Sequence, residues 1–266
     1  MTNDDECEEV VRCNRCGFCL STCPIYRATG IEASSPRGHN AHLRDLWEEK
    51  TELTAEVREH LWECLLCGTC QANCFPAVRT SELVVRERHL LLERFGQPLG
   101  QRLLLRYFLQ KPGRLSLLGI AVRLGGWIGS QVLRQKVASL PSLSVTRPLH
   151  ARTKELLSHQ KGTGRSLIYF PGCGINHLVP HAGEATLHLL LAQGFQVSVP
   201  QVYCCGLPAH SLGDLEAART LARKNLRVLS QLEAETIVTD CAGCSSFLKD
   251  YPRLLTGDSQ YEAAAA

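Results

Sequence analysis

The chain has 266 residues and a formal net charge of +3, and this length accommodates two domains with a sizeable core. Fourteen cysteines stand beside a single methionine, while the acidic start of the chain contains no apolar segment of the kind that a secretory signal needs. We therefore expect a cytoplasmic protein with reduced thiols, which argues against a disulfide scaffold and favours metal ligation.

Two cysteine runs with the spacing C-x2-C-x2-C-x3-C lie at residues 13–23 and 64–74. This is the spacing of bacterial two-cluster ferredoxins, in which the fourth cysteine of each run binds the cluster of the other run. The sequence therefore predicts two [4Fe–4S] clusters. The predicted ligands of the first cluster are Cys13, Cys16, Cys19 and Cys74. The predicted ligands of the second cluster are Cys64, Cys67, Cys70 and Cys23.

The two runs share one glycine position and differ in one proline position. Gly17 and Gly68 stand at the same place in each run, where a residue without Cβ lets the backbone approach an inorganic core. Pro24 directly follows the first run, whereas Pro76 stands one position later after the second. This departure from the ferredoxin pattern removes no ligand.

Helical signals fill the segment between and after the runs. Ser35 and Pro36 resemble an N-cap and N1 pair, and Thr54 resembles a second N-cap. Apolar residues follow each cap at helical spacing, namely Leu43, Leu46 and Trp47 after the first and Val57, Leu61 and Trp62 after the second. A further helix is predicted over residues 81–95. We predict an α-helical ferredoxin domain over residues 1–95, similar to that of respiratory iron–sulfur subunits.

Residues 96–165 are predicted to form a basic helical connector and linker. From Gln97 to Arg165, twelve Lys or Arg stand against one acid, Glu155. Such a segment can face anionic lipid or an acidic partner subunit, and a solvated basic surface explains it equally well. The stretch lacks regular aromatic interleaving, which argues against nucleic acid as a partner.

Within this connector, residues 99–137 are apolar but repeatedly interrupted by charge. No uncharged apolar run approaches 18 residues, so a membrane-spanning helix is excluded. Packing against the protein's own domains is the favoured interpretation, and an interfacial helix at the inner face of a membrane is the alternative. Residues 140–165, which contain proline, glycine, serine and basic residues, are predicted to be the linker.

From residue 166 onward, predicted strands alternate with helices, which indicates a parallel α/β unit. The predicted strands span residues 166–170, 195–202 and 236–240, with a helix over residues 181–193 after the first. The long helix after the second strand carries its apolar face on Leu215, Ala218, Ala222, Leu226 and Leu229.

Five cysteines lie just past the carboxyl ends of these strands, where ligands collect in open α/β sheets. They are Cys173, Cys204, Cys205, Cys241 and Cys244. We predict that they form a third metal or cluster site, and zinc held by the last four of them is an alternative. The nearby histidines, His177, His181 and His188, are predicted to be surface or core residues rather than ligands.

The pattern of Cys173, Cys204-Cys205-Gly206 and Cys241-x2-Cys244 resembles the cysteine-rich CCG domain. That domain is shared by heterodisulfide reductase subunits, the lactate-utilisation iron–sulfur protein and the C subunit of anaerobic glycerol-3-phosphate dehydrogenase. With ferredoxin runs placed before it, the chain most resembles the iron–sulfur subunit of glycolate oxidase. The resemblance implies an α-helical ferredoxin domain followed by an α/β CCG domain over residues 166–266.

The same resemblance implies an electron-transfer subunit. Its expected partner is a flavoprotein dehydrogenase that oxidises a 2-hydroxy acid such as glycolate, and its expected acceptor is quinone-linked or lies at a membrane surface. The hydride chemistry is assigned to the partner, because Gly162-Thr-Gly164 precedes a strand and lacks the third glycine of a dinucleotide fingerprint. The competing interpretation is a heterodisulfide-reductase-like thiol/disulfide redox protein with a cluster at the CCG cysteines. Relatives usually carry two CCG repeats, so with one repeat here we expect C-terminal truncation.

Overall fold

The computed structural model describes residues 9–55, 57–111, 113–114, 148–158 and 164–261. It divides into two compact units. The first comprises Met1–Pro98 with Pro208–Leu215, and the second comprises Leu99–Leu207 with Glu216–Ala266. Within the predicted basic connector, residues 112, 115–147 and 159–163 lie outside the described residues.

The first unit is helical, as the sequence predicts. A short 3-10 turn at Glu32–Ser34 precedes its longest connecting helix. Its helices are α1 Phe18–Thr22, α2 Pro24–Thr29, α3 Pro36–Trp47, α4 Val57–Glu63, α5 Thr69–Ala72 and α6 Thr80–Phe95.

Helix α3 begins where the sequence predicts. The Ser35 hydroxyl accepts a hydrogen bond from the Gly38 N–H at 3.1 Å, and Pro36 occupies the first helical turn. Of its predicted apolar face, Leu43 and Leu46 pack against the core, whereas Trp47 is half exposed. Trp47 is the last residue of α3, so the helix carries it out of the core. The cap proposed at Thr54 for α4 stays a prediction.

Two apolar clusters hold the first unit together. Helices α4 and α6 share one of them, built on Leu53, Leu61, Val84 and Leu91. The other is built on Val10, Val78 and Leu83, with the side chains of Cys13 and Cys74 packed against it. This second group of apolar side chains therefore packs directly against two of the predicted ligands.

The second unit is organised around a three-stranded parallel sheet, which confirms the predicted α/β character. Its strands are β1 Ser166–Tyr169, β2 Gln196–Ser198 and β3 Thr236–Val238. The strand order is β2-β1-β3, with Leu167 opposite Val197 on one side and Thr236 on the other. Strand β2 is shorter than predicted, because its ladder pairs residues 196–198 alone with β1.

The central strand β1 is buried on both faces of the sheet. Successive side chains of β1 point to opposite faces, and Leu167 and Tyr169 on one face and Ile168 on the other are all buried. The edge strand β3 is more open, since Ile237, which pairs with Ile168, is 44% exposed. The remaining described helices of the chain are α7 Leu99–Leu103 with a π-helical turn at Leu104–Phe108, α8 Leu149–Leu157, α9 Gly172–His177, α10 Pro180–Ala192, α11 Leu207–Ser211, α12 Leu215–Leu229, α13 Ala242–Lys249 and α14 Tyr251–Leu254.

Helix α8 contributes to the core of the second unit. Residues 149–157 lie inside the stretch predicted as linker, yet they are helical, and Leu149 is completely buried in the core beside Leu167, Tyr169 and Leu187. The physical reason is the spacing of Leu149, Leu156 and Leu157, which puts all three against the sheet. The surrounding prolines and glycines obscure this pattern in the sequence.

None of the helices in the described ranges is long and apolar enough to cross a membrane.

We predict that Gly183→Ala destabilises the second unit by about 1–3 kcal/mol through overpacking. A Cβ at Gly183 in α10 would lie 2.5 Å from a methyl of Leu149 and 2.8 Å from one of Ile175. The measurement is urea unfolding followed by circular dichroism. The matched control is Gly100→Ala in α7, where a Cβ has nothing within 4 Å. It should leave stability unchanged or slightly raised, and an equal loss in both variants would contradict the packing argument.

Candidate metal centres

The cysteines of the two runs border two cavities in the first unit. One cavity of about 390 Å³ is bordered by Cys13, Cys16, Cys19 and Cys74. The other, also of about 390 Å³, is bordered by Cys23, Cys64, Cys67 and Cys70. The fourth cysteine of each run therefore lies with the first three of the other run. Cys70 borders both cavities.

The two runs have similar backbone angles at equivalent positions. Arg15 and Leu66 occupy equivalent positions with φ of 53° and 54°, and Gly17 and Gly68 follow with φ of 84° and 72°. Left-handed conformations are costly for residues with a Cβ and persist where the surrounding structure imposes them. The repeated turn folds each loop around its cavity and starts the short helix that carries the third cysteine of the run.

The two fourth cysteines differ, and the position of the proline explains why. Cys23 caps α2, where its Sγ accepts a hydrogen bond from the N–H of Tyr26 at 3.5 Å. Cys74 is followed by a turn with Ala77 at φ 56°, and its Sγ accepts from the N–H of Val78 at 3.4 Å. In the second run the proline stands one residue later, and the N–H that donates to the cysteine sulfur also comes one residue later. Each fourth cysteine therefore accepts a hydrogen bond from one backbone N–H.

Three polar side chains at these cavities were missed by sequence reasoning. Asn40 in α3 donates from Nδ2 to Cys13 Sγ at 3.6 Å and to the hydroxyl of Thr80 at 3.0 Å. Thr80 borders both cavities, and His39, the neighbour of Asn40, borders the second. All three are at least 95% buried. They are distant in sequence from the cysteines, so no local pattern marks them.

Arg88 of α6 fixes the start of the second run. Its guanidinium donates to the carbonyl oxygen of Cys64 at 2.8 Å and to that of Leu61. The side chain is 4% exposed, so these backbone acceptors replace the water that a buried guanidinium has lost.

Burial keeps several of these thiols protonated. It raises the pKa of Cys19 and Cys64, and together with the neighbouring Cys64 it raises the pKa of Cys70 to about 11. A thiolate is required to bind metal, so binding must displace protons and a bound cation must stabilise the charge. Free thiols converging on two cavities, with N–H groups directed at sulfur, fit an iron–sulfur group in each. All cysteines in the described part of the chain are free thiols.

The five cysteines of the second unit also converge. Cys173 Sγ lies 3.6 Å from Cys204 Sγ, and Cys205 makes side-chain hydrogen bonds with Cys204 and Cys244. Cys241 caps α13, with its Sγ accepting from the N–H of Cys244 at 3.4 Å. The thiols thus form one continuous chain of contacts across the carboxyl ends of the three strands.

Electrostatics within this thiol chain are uneven. Hydrogen bonds from Cys204 and Cys244 lower the pKa of Cys205, and the contact with Cys204 lowers the pKa of Cys173. The contacts with Cys173 and Cys205 raise the pKa of Cys204, and the contact with Cys205 raises the pKa of Cys244. Negative charge in this thiol chain is therefore favoured at Cys173 and Cys205.

Asn225 and Tyr251 hold the Cys204–Cys205 pair in place. Asn225 is fully buried, accepts from the N–H of Tyr203 at 2.8 Å and donates to the carbonyl of Cys204 at 3.0 Å. The Tyr251 hydroxyl accepts from Asn225 and donates to the carbonyl of Cys205 at 2.6 Å. Sequence reasoning placed Ala222 and Leu226 on this face of α12 and overlooked the asparagine between them.

A cavity of about 270 Å³ adjoins two of these thiols, Cys173 and Cys204. His177 borders the same cavity, and burial lowers its pKa. His181 and His188 are exposed on α10, as expected for surface residues.

Among the described residues, no group of three or more His, Cys, Asp or Glu side chains has the arrangement of a mononuclear metal site. The zinc alternative at these cysteines stays a prediction.

Comparisons with known proteins agree with this organisation. Residues 9–77 match the 4Fe-4S dicluster domain, and residues 167–249 match the cysteine-rich domain designated CCG. The chain is 29% identical to a probable glycolate oxidase iron–sulfur subunit of Bacillus subtilis, over 97% of this chain and 62% of the relative. It is also 29% identical to the glycolate oxidase iron–sulfur subunit of Escherichia coli, over 96% of this chain and 62% of the relative.

A relative with lower sequence identity matches the predicted resemblance to heterodisulfide reductase. It belongs to the dihydromethanophenazine:CoB–CoM heterodisulfide reductase of Methanosarcina mazei and is 24% identical, over 96% of this chain and 60% of the relative. These comparisons confirm the resemblance drawn from the cysteine patterns. The alignments span about three fifths of the length of these relatives. No solved structure matches the chain.

We predict that Asn225→Ala destabilises the second unit by at least about 2 kcal/mol, because it leaves the Tyr203 N–H and the Cys204 carbonyl buried without their partner. Urea unfolding measures the loss, and titration with a thiol reagent before unfolding reports whether Cys204 becomes accessible. Gln231→Ala, which shortens an exposed amide side chain, is the control and should change neither. Equal stability of the two variants would contradict the assigned role of Asn225.

Proposed function

We propose that this chain is an electron-transfer iron–sulfur subunit, which receives electrons from a flavin-dependent 2-hydroxy-acid dehydrogenase of the glycolate type. The observation that carries the proposal is the crossing of the two cysteine runs, in which each fourth cysteine borders the cavity of the other run. The 4Fe-4S dicluster match over residues 9–77 and the relatives named as glycolate oxidase iron–sulfur subunits support it.

The proposed ligand sets follow the cavities. Cys13, Cys16, Cys19 and Cys74 would hold the first [4Fe–4S] cluster, and Cys64, Cys67, Cys70 and Cys23 the second. When bound, each cluster supplies one-electron transfer at a potential set by burial and by hydrogen bonds to its sulfurs. The chain's own part is to hold eight thiolates, to direct the N–H groups of Tyr26 and Val78 at two of them, and to exclude water with α3 and α6.

The flavin is assigned to a partner protein. The sequence has two Gly-x-Gly stretches, Gly162-Thr-Gly164 and Gly172-Cys-Gly174, and neither is followed by the third glycine of a dinucleotide fingerprint. The relatives named above are themselves subunits by name, which supports an assembly. The proposed downstream acceptor is quinone-linked or lies at a membrane surface, with the basic segment of residues 97–165 as the contact to anionic lipid.

The five thiols of the second unit are proposed to hold a further iron–sulfur group. A second candidate function, heterodisulfide-reductase-like thiol/disulfide chemistry at this site, is favoured by the 3.6 Å contact between Cys173 and Cys204 and by the resemblance to the Methanosarcina mazei reductase protein. An EPR signal that changes when a thiol or disulfide is added would support this second candidate, and an unchanged signal would leave electron transfer as the function.

Two double variants test the crossed ligand sets. Cys13→Ala with Cys74→Ala removes two ligands of one proposed cluster, so the anaerobically purified protein should lose about four irons relative to the unaltered chain. Cys13→Ala with Cys23→Ala removes one ligand from each, so it should lose about eight. Iron and sulfide analysis with EPR of the reduced protein measures both. Each variant lacks two cysteines, so the pair is matched, and the reverse ranking would show that each run holds its own cluster.

We further expect that the purified chain does not oxidise glycolate or other 2-hydroxy acids with an artificial acceptor, because its sequence carries no complete dinucleotide fingerprint and the flavin is assigned to a partner. Rapid mixing with a substrate-reduced 2-hydroxy-acid flavoprotein should bleach the cluster absorbance. The double variant predicted to lack both clusters is the control and should show no bleaching. Turnover of glycolate by the iron-loaded chain without any flavoprotein would disprove the assignment of the hydride step to a partner.

A further inference from the structure

Helix α3 touches both cavities of the first unit, although it belongs to neither cysteine run. The runs themselves are nearly equivalent, with the same spacing and the same left-handed residues at the same positions. Each also has one backbone N–H donor to its fourth cysteine. The second run has one hydrogen bond of its own, between Cys67 Sγ and the Thr69 hydroxyl at 3.3 Å, at a position where the first run has Phe18. A further difference between the two sites comes from outside the runs.

Asn40 provides such a difference at the first cavity. It borders that cavity, is 4% exposed, and its Nδ2 donates to Cys13 Sγ at 3.6 Å. The contact to the Thr80 hydroxyl at 3.0 Å fixes the amide in this orientation. The Asn40 side chain thus adds a second hydrogen bond to the sulfurs of the first ligand set.

The neighbouring residue meets the second cavity differently. His39 borders it and is 3% exposed, yet within the described part of the chain its Nε2 has no hydrogen-bond partner. Positive charge does not distinguish the two sites, because each has an arginine nearby. Arg37 borders the first cavity, and Arg88 contacts the backbone of Cys64 at the second.

A hydrogen bond to a thiolate sulfur stabilises negative charge on that sulfur. Adding an electron to an iron–sulfur cluster increases this negative charge, so a donor stabilises the reduced form more than the oxidised form. The reduction potential of the cluster therefore rises with each such donor.

We propose that Asn40 is a positioning residue that raises the reduction potential of the first cluster through its hydrogen bond to Cys13 Sγ. This inference rests on the proposed function, because it requires clusters at the assigned cysteines. It gives α3 a role in setting the potential of one cluster, in addition to the Thr69 contact that distinguishes the second site.

The test is an EPR-monitored redox titration of Asn40→Leu, which keeps the side-chain volume similar and removes both N–H donors. One midpoint potential should fall by about 59 mV, which corresponds to a tenfold smaller equilibrium constant for one-electron reduction of that cluster. The other potential should stay unchanged. If Asn40→Leu loses iron, Asn40→Asp takes its place. Its carboxylate also lacks the donor and adds negative charge, so the same potential should fall further.

His39→Leu is the matched control, because it introduces the same side chain at an adjacent and equally buried position of α3. It should leave unchanged the potential that Asn40→Leu lowers. The inference fails if Asn40→Leu moves neither potential or both equally, or if His39→Leu lowers the same one. The proposed function fails separately, if the unaltered protein binds no iron and gives no [4Fe–4S] signal.

Discussion

The first unit depends on the crossing of its two cysteine runs. Neither cavity is complete without residues from both, so the helices between the runs must be folded before four thiols can meet. Helices α3 and α6 close this arrangement through Asn40, Thr80 and Arg88. Because burial disfavours the thiolates that metal binding requires, folding and metal uptake are expected to be coupled.

The second unit brings its thiols together in a different way. Its five thiols come from the carboxyl ends of three short strands, and they hydrogen-bond to one another rather than to the backbone of a repeated loop. Asn225 and Tyr251 fix the Cys204–Cys205 pair by donating hydrogen bonds to its two carbonyl oxygens. The first pair of sites is thus built on two repeated loops that the rest of the first unit brings together, while this site is built on the segments that follow three strands.

This contrast explains which features could be predicted from the sequence. Cysteine spacing is a local signal, so the placement of the runs and the start of α3 at Ser35 could be predicted. Asn40 and Asn225 could not, because a buried amide acts on partners 27 and 21 residues away, Cys13 and Cys204. Helix α8 was hidden by its flanking prolines and glycines, since burial of Leu149 depends on a sheet that forms later in the chain.

Cys70 and Thr80 border both cavities of the first unit, so the two groups of thiols share part of their lining. A substitution at either residue would alter both cavities at once. At this shared wall the two sites cannot be varied independently, which makes them one structural unit rather than two.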